Sequence, residues 1–397
     1  MTFTADLYCE STKIDTITFN VIGQLVKYEG KEYVMGTAYY TGNLIGKRFN
    51  DVANVHLRNS NKYILYGGIL HWFGTYDDNN ESGIAVHNGI PGYDVTYMPK
   101  NPRDDLARNE YQIISITGII VSTGNNASDS VRYPELGKTQ FKANLYCEGT
   151  DVGYVTFDVL GVKVELNGTE YLYGFAVYNG TPCGKRFNDV DKIKLYNPTK
   201  EIKSGGHLYW RGSYDDTNET GMAIYNKTYS NYVEYISENP TNDFAANTNN
   251  FVIITGIVVK TGNKANGEYI PKLVNTSLDA TLYCESLYIK RIKLDIIGFE
   301  TLDGHIIGNA SYTGNPGSSR FNDVGNIKLL DPSISIRYGG TLGWWGTIND
   351  NNESGVAGWD ASDKSRIIYM SDTPYNDMAC NEELNLRISF FCLKKSN

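Results

Sequence analysis

The sequence predicts an all-β protein made of three tandem, homologous antiparallel β-sandwich domains of jelly-roll type. Two observations carry that expectation. One pentapeptide, Arg-Phe-Asn-Asp-Val, is written at 48–52, again at 186–190 and again at 320–324. Between these repeats, short alternating apolar segments are separated by turns rich in glycine and asparagine. That is the pattern of strands, not helices.

The repetition sets the domain organisation. A second shared peptide, Leu-Tyr-Cys-Glu, ends at Glu10, Glu148 and Glu285. Successive copies lie about 140 residues apart. This is too long for a propeller blade or solenoid turn and right for a whole small domain. The expected domains are 1–124, 139–262 and 277–397. The segments 125–138 and 263–276 are turn-rich, lack apolar periodicity and read as linkers.

Each copy can be followed strand by strand. In the second, Val155, Phe157 and Val159 alternate toward a turn at Asn167-Gly168, and Tyr171, Tyr173 and Phe175 alternate away from it. Asn-Gly suits a two-residue type I′ hairpin, whose central residues both need positive φ. Glu29-Gly30 and Asp303-Gly304 are the equivalents. About eight short strands per copy fit this spacing. The last, from Gln112 or Phe251, is a nearly continuous apolar run, expected to be central and covered on both faces. The only helical candidate is a single turn at Asp105-Leu106-Ala107, with Asp243-Phe244-Ala245 and Asp377-Met378-Ala379 as its equivalents.

Composition narrows the function classes. Of 397 residues, 41% are hydrophobic and 20% charged, so the chain is globular. The net charge of −9 disfavours sequence-independent nucleic-acid binding, which needs a basic face. The N-terminal MTFTADLYCE lacks the basic and apolar regions of a Sec signal, and no apolar run reaches transmembrane length. Synthesis in the cytoplasm, with release by lysis or a non-classical route, is the expectation. Cys9, Cys147 and Cys284 recur in each copy, while Cys183, Cys380 and Cys392 do not. No spacing suggests zinc, and the shared thiols read as small buried hydrophobes.

Two polar constellations recur. The first is Arg48 to Asp51 in the shared pentapeptide, with Arg186 to Asp189 and Arg320 to Asp323, approached through a glycine-rich segment. The second is an aromatic strand running into an acidic turn. It holds Trp72, Tyr76, Asp78, Asn80 and Glu81 in the first copy. Trp210, Tyr214, Asp216, Asn218 and Glu219 match them in the second copy, and Trp344, Asp350, Asn352 and Glu353 in the third. Structurally, such a turn is a hairpin loop stabilised by Asx side chains, and Arg48 with Asp51 would brace it. Functionally, aromatic, amide, carboxylate and guanidinium groups together are the inventory of a shallow sugar site. Three linked weak sites would gain avidity. Calcium is the alternative occupant, held by Asp78 and Glu81, Asp216 and Glu219, or Asp350 and Glu353; the spacing is not that of an EF-hand.

Catalysis is not expected. None of the five histidines recurs in all copies, so no shared Ser-His-Asp or Cys-His arrangement exists. The expectation is therefore a multivalent, non-catalytic, carbohydrate-binding protein without an obligatory cofactor, whose partners are glycans or glycoproteins. A self-assembling, inclusion-forming protein is the alternative, and a cell-surface-binding toxin or adhesin component is a second. Arg211 stands where the other copies have Phe73 and Trp345, so the three faces need not bind alike.

Overall fold

The computed structural model describes residues 1–397 apart from 43–47, 78, 108–111, 183, 216, 247, 267–268, 318, 350, 363–365, 380–382 and 395–397. Among the described residues every regular element is a strand.

The first copy contains β1 (Thr2–Cys9), β2 (Thr12–Tyr28), β3 (Lys31–Gly42), β4 (Arg48–Phe49), β5 (Val55–Arg58) and β6 (Ile64–Tyr66). It continues with β7 (Ile69–Tyr76), β8 (Asn79–His87), β9 (Val95–Pro99), β10 (Leu106–Ala107) and β11 (Gln112–Asn126). The sheet runs β3-β2-β1-β5-β9-β8-β7-β11-β6, and β3 also pairs with β11. That last pairing closes eight antiparallel strands into a barrel. In the second copy, pairing of Thr169–Gly180 with Thr248–Lys264 closes the sheet in the same way. The third sheet has the same order, with His305–Gly314 paired to Glu383–Lys394.

The expected sandwich thus gives way to closed sheets. Alternation cannot separate the two, because both bury every second side chain. Closure also removes the free edges that an open sheet would expose. The core of the first barrel is built from the inward set Phe3, Ala5, Leu7 and Cys9, with Trp72 across it. Strand β11 lies between β3 and β7, and its first ten residues are all buried, which explains its unbroken apolar run.

Two local expectations are corrected. The candidate helical turns are strands of two residues: β10 and its equivalents Phe244–Ala245 and Met378–Ala379. Each pairs with the Arg-Phe of the repeated pentapeptide. The hairpin turn at Glu29-Gly30 has φ of 48° and 73°, and Asn167-Gly168 has 51° and 76°, as a type I′ turn requires. The third differs. There a loop over 301–304 is closed by Thr301 N donating to His305 O at 2.8 Å, and only Gly304 has positive φ. The third copy lacks the tight pairing that the other two share.

The copies do not sit as beads on a string. Ser82 Oγ donates to the Asp372 carbonyl at 3.0 Å, and Ser354 Oγ donates to the Glu238 carbonyl at 2.8 Å. Thr220 Oγ1 donates to the Lys100 carbonyl. Donors and acceptors are each at equivalent places in the three copies, so the contacts run first to third, second to first and third to second. The ring closes. Where the acceptors meet, the Lys100 ammonium pairs with the Glu238 carboxylate at 2.8 Å and with Asp372. All three side chains are buried. The second and third copies also meet where Phe390 stacks on Phe175 at 5.1 Å. Phe390 has φ of 56°, where the equivalent Gly118 and Gly256 have 78° and 86°. A Cβ on Gly118 would sit 3.0 Å from both Phe175 and Phe390, so one aromatic ring fills space that three could not share.

Candidate functional site

The repeated pentapeptide is the hub of one corner of each copy. Strand β4 pairs with β10, and this short ribbon lies against the β7–β8 hairpin. Arg48 Nη2 reaches Asp105 Oδ2 at 2.7 Å and Glu81 Oε1 at 2.8 Å. Asp105 Oδ1 accepts from Asp51 N at 2.9 Å. The Asp105 carbonyl accepts from Trp72 Nε1 at 2.9 Å. Val52 is fully buried, and its N donates to Asp104 O at 2.9 Å. The chain beyond is held by Glu10, whose Oε1 accepts from Ala53 N and Asn54 N, both at 2.7 Å.

The other copies reproduce the corner. Arg186 Nη2 meets Glu219 at 2.9 Å and Asp243 at 2.5 Å. Arg320 Nη2 meets Glu353 at 2.8 Å and Asp377 at 2.6 Å. Asp189 N and Asp323 N each donate to the equivalent aspartate at 2.9 Å. Trp210 Nε1 donates to Asp243 O and Trp344 Nε1 to Asp377 O. Glu148 and Glu285 accept the same pair of backbone amides as Glu10 does.

Each letter of the pentapeptide now has a physical role. Arginine bridges two carboxylates, and phenylalanine packs half-buried on the core. The first asparagine, Asn50, is exposed. The aspartate takes a left-handed turn, with φ of 52° at Asp51, 52° at Asp189 and 53° at Asp323. Asp and Asn tolerate that region better than most side chains. Valine anchors the turn in the core. The arginine partners thus differ from the expected Arg48–Asp51 pair. Asp51 contributes its backbone conformation and N–H, while the carboxylates come from Glu81 and Asp105. Asp105 and Glu10, with their equivalents, were not singled out from sequence as binding or bracing residues. Their signal was present, because both recur in every copy.

The tryptophans offer no face to a ligand. Trp72, Trp210 and Trp344 are fully buried. Trp72 lies over Gly83, where an added Cβ would be 2.1 Å from the ring, and Gly221 and Gly355 serve Trp210 and Trp344 in the same way. Their role is support, and stacking by these rings on a sugar is ruled out by burial. What stays accessible is half-buried Tyr76 and Tyr214, and exposed Asn80, Asn218 and Asn352. Asp78, Asp216 and Asp350 lie outside the described residues.

Burial pushes the carboxyls of Glu81, Glu219 and Glu353 above the usual range, against the pull of the adjacent arginine. A calcium ion at these glutamates would have to compete with that guanidinium. Among the described residues no group of three or more His, Cys, Asp or Glu side chains is placed to hold a metal ion. Three histidines are buried and held neutral: burial lowers His71 and His207 to about 3 and His87 to about 4. Cys9, Cys147, Cys284 and Cys392 are buried thiols outside any disulfide, while Cys183 and Cys380 lie outside the described residues. Among the described residues no helix is long and apolar enough to cross a membrane, which says nothing about strands.

No family model matches the sequence, and comparison with curated proteins and with solved structures found no match either.

Proposed function

We propose that the chain is a multivalent, non-catalytic binding protein, three homologous domains in a closed ring that present polar faces to glycans. The observation that supports this most is the cyclic set of contacts from Ser82, Thr220 and Ser354. Such a ring fixes the relative positions of three equivalent corners, and fixed spacing is what multivalent recognition of weak ligands requires. The exposed amides of Asn80, Asn218 and Asn352, with the flanking tyrosines Tyr76 and Tyr214, supply hydroxyl-matching groups. A non-catalytic role agrees with three of the five histidines being buried as neutral groups and with glutamates committed to arginine.

The test is a glycan array probed with the intact protein, with calcium and again with EDTA. Binding in both buffers supports the direct polar site, and loss in EDTA supports the metal-assisted one. A blank array in both contradicts the reading. The second reading is self-assembly, favoured by Tyr154 and Tyr288, which are 60% and 61% exposed. It predicts particles whose size rises with concentration in light scattering. The surface-binding toxin or adhesin variant shares the glycan test.

A further inference from the structure

The seams of the ring are not equal, as those between the first and third copies and between the second and first copies show. Between the first and third copies lies a groove of about 490 Å³, within the range of small-ligand sites. Phe73 and Asn80 come from the first copy, and Glu285, Asp323, Asn326 and Tyr375 from the third. Tyr375 is 80% exposed at its rim.

The equivalent seam between the second and first copies shows what the groove lacks. There Arg211 replaces Phe73, and its Nη1 reaches Asn54 Oδ1 at 3.4 Å. Asn54 is the counterpart of Asn326. Asn326 donates Nδ2 to Glu285 Oε2 at 2.7 Å, which fixes the orientation of its amide. Its Oδ1 is then left buried without a hydrogen-bond partner. An unsatisfied buried acceptor costs free energy that a donor would recover. So one seam carries a guanidinium donor, and the other carries an aromatic wall, an orphan acceptor and space.

We infer that the groove between the first and third copies is a composite binding site for a single sugar ring. It is built by Phe73 and Tyr375 on the apolar side and by Asn80, Asp323 and Asn326 on the polar side. The ring's C–H face lies against the aromatic side chains. Its hydroxyls donate to the Asp323 carboxylate and, with a small shift of the amide, to Asn326 Oδ1, and they accept from Asn80. This rests on the carbohydrate-binding reading above and places one of its sites, the one that includes Asn80, in a seam between two copies.

The experiment is saturation-transfer NMR on the intact protein with glucose, galactose, mannose and N-acetylglucosamine as separate probes, run beside the glycan array. Phe73→Arg copies the residue that the second copy already carries, so folding is expected to survive, and a thermal melt checks it. Tyr375→Ala changes a side chain that is 80% exposed, so it cannot remove core packing. Affinity for the sugar that wild type binds should fall roughly tenfold in Phe73→Arg and several-fold in Tyr375→Ala, the scale of a lost aromatic contact. Sugar binding unchanged in both variants overturns this placement and leaves the general carbohydrate reading standing. No binding by wild type to any probe or arrayed glycan overturns both.

Discussion

The corner brace and the axial charge cluster solve the same problem in opposite ways. The brace is written in the same letters three times: Arg48 with Glu81 and Asp105, Arg186 with Glu219 and Asp243, Arg320 with Glu353 and Asp377. It lies within one copy and near solvent, with the arginines 40–45% exposed. The axial cluster is written in three different letters at one equivalent position, Lys100, Glu238 and Asp372, and it is buried. Three identical residues there would bring like charges together out of water, at a cost of several kcal/mol. A local interaction can be copied unchanged. A shared one on the axis must be divided among the copies, which makes them non-interchangeable.

The largest effect should come from breaking the axis. Lys100→Met leaves Glu238 and Asp372 buried without their cation and should cost about 3–5 kcal/mol in urea unfolding. Burial holds the Glu238 and Asp104 carboxyls above their ordinary range. A carboxyl raised in this way binds its proton more tightly folded than unfolded. Its contribution favours folding below about pH 4 and is lost as pH rises through the folded value. With the cation gone, the Glu238 and Asp104 carboxyls lose the charge that pulls them down, so the Lys100→Met penalty should be smaller at pH 5 than at pH 8. Equal penalties at both would mean that those carboxylates are hydrated.

Gly83→Ala should come next, at about 1–3 kcal/mol, because the new methyl collides with Trp72 and neither can move away. A neutral result by thermal melt would mean that the indole is free to leave the core. The brace itself should matter less. Arg48→Ala, Arg186→Ala and Arg320→Ala should each cost about 1 kcal/mol or less, since these pairs are partly exposed and screened. Their penalties should be alike and shrink with added salt. Asp105→Ala should exceed Arg48→Ala, because it also removes the acceptor of Asp51 N. The smallest effect belongs to Tyr375→Ala, within about 0.5 kcal/mol of wild type, since the side chain makes little buried contact.

How much of this could be read from the sequence follows from which interactions are local. Strand character, the hairpins at Glu29-Gly30 and Asn167-Gly168, and the central position of the Gln112 strand depend on neighbouring residues and were legible. Closure of the sheet was not, because pairing β3 with β11 joins residues far apart in sequence and leaves alternation unchanged. The Asp105 turn looked helical for want of its partner: two residues extend only because Arg48-Phe49 lies beside them. Repetition pointed to the corner, yet it could not say that the tryptophans were buried or that Glu81 was already paired. The axis was hidden for the opposite reason. Lys100, Glu238 and Asp372 differ from one another, so comparing the copies for identities passes over them.

The central claim is that the three copies form one closed ring. A thermodynamic cycle over Lys100, Glu238 and Asp372 tests it most directly, with the single, double and triple replacements by methionine or leucine measured by urea unfolding. The ring predicts large single penalties and a triple variant that recovers most of the loss, because removing every buried charge together leaves none unpaired. Small, additive effects at all three positions would contradict it, since they would place these residues in water on separate domains.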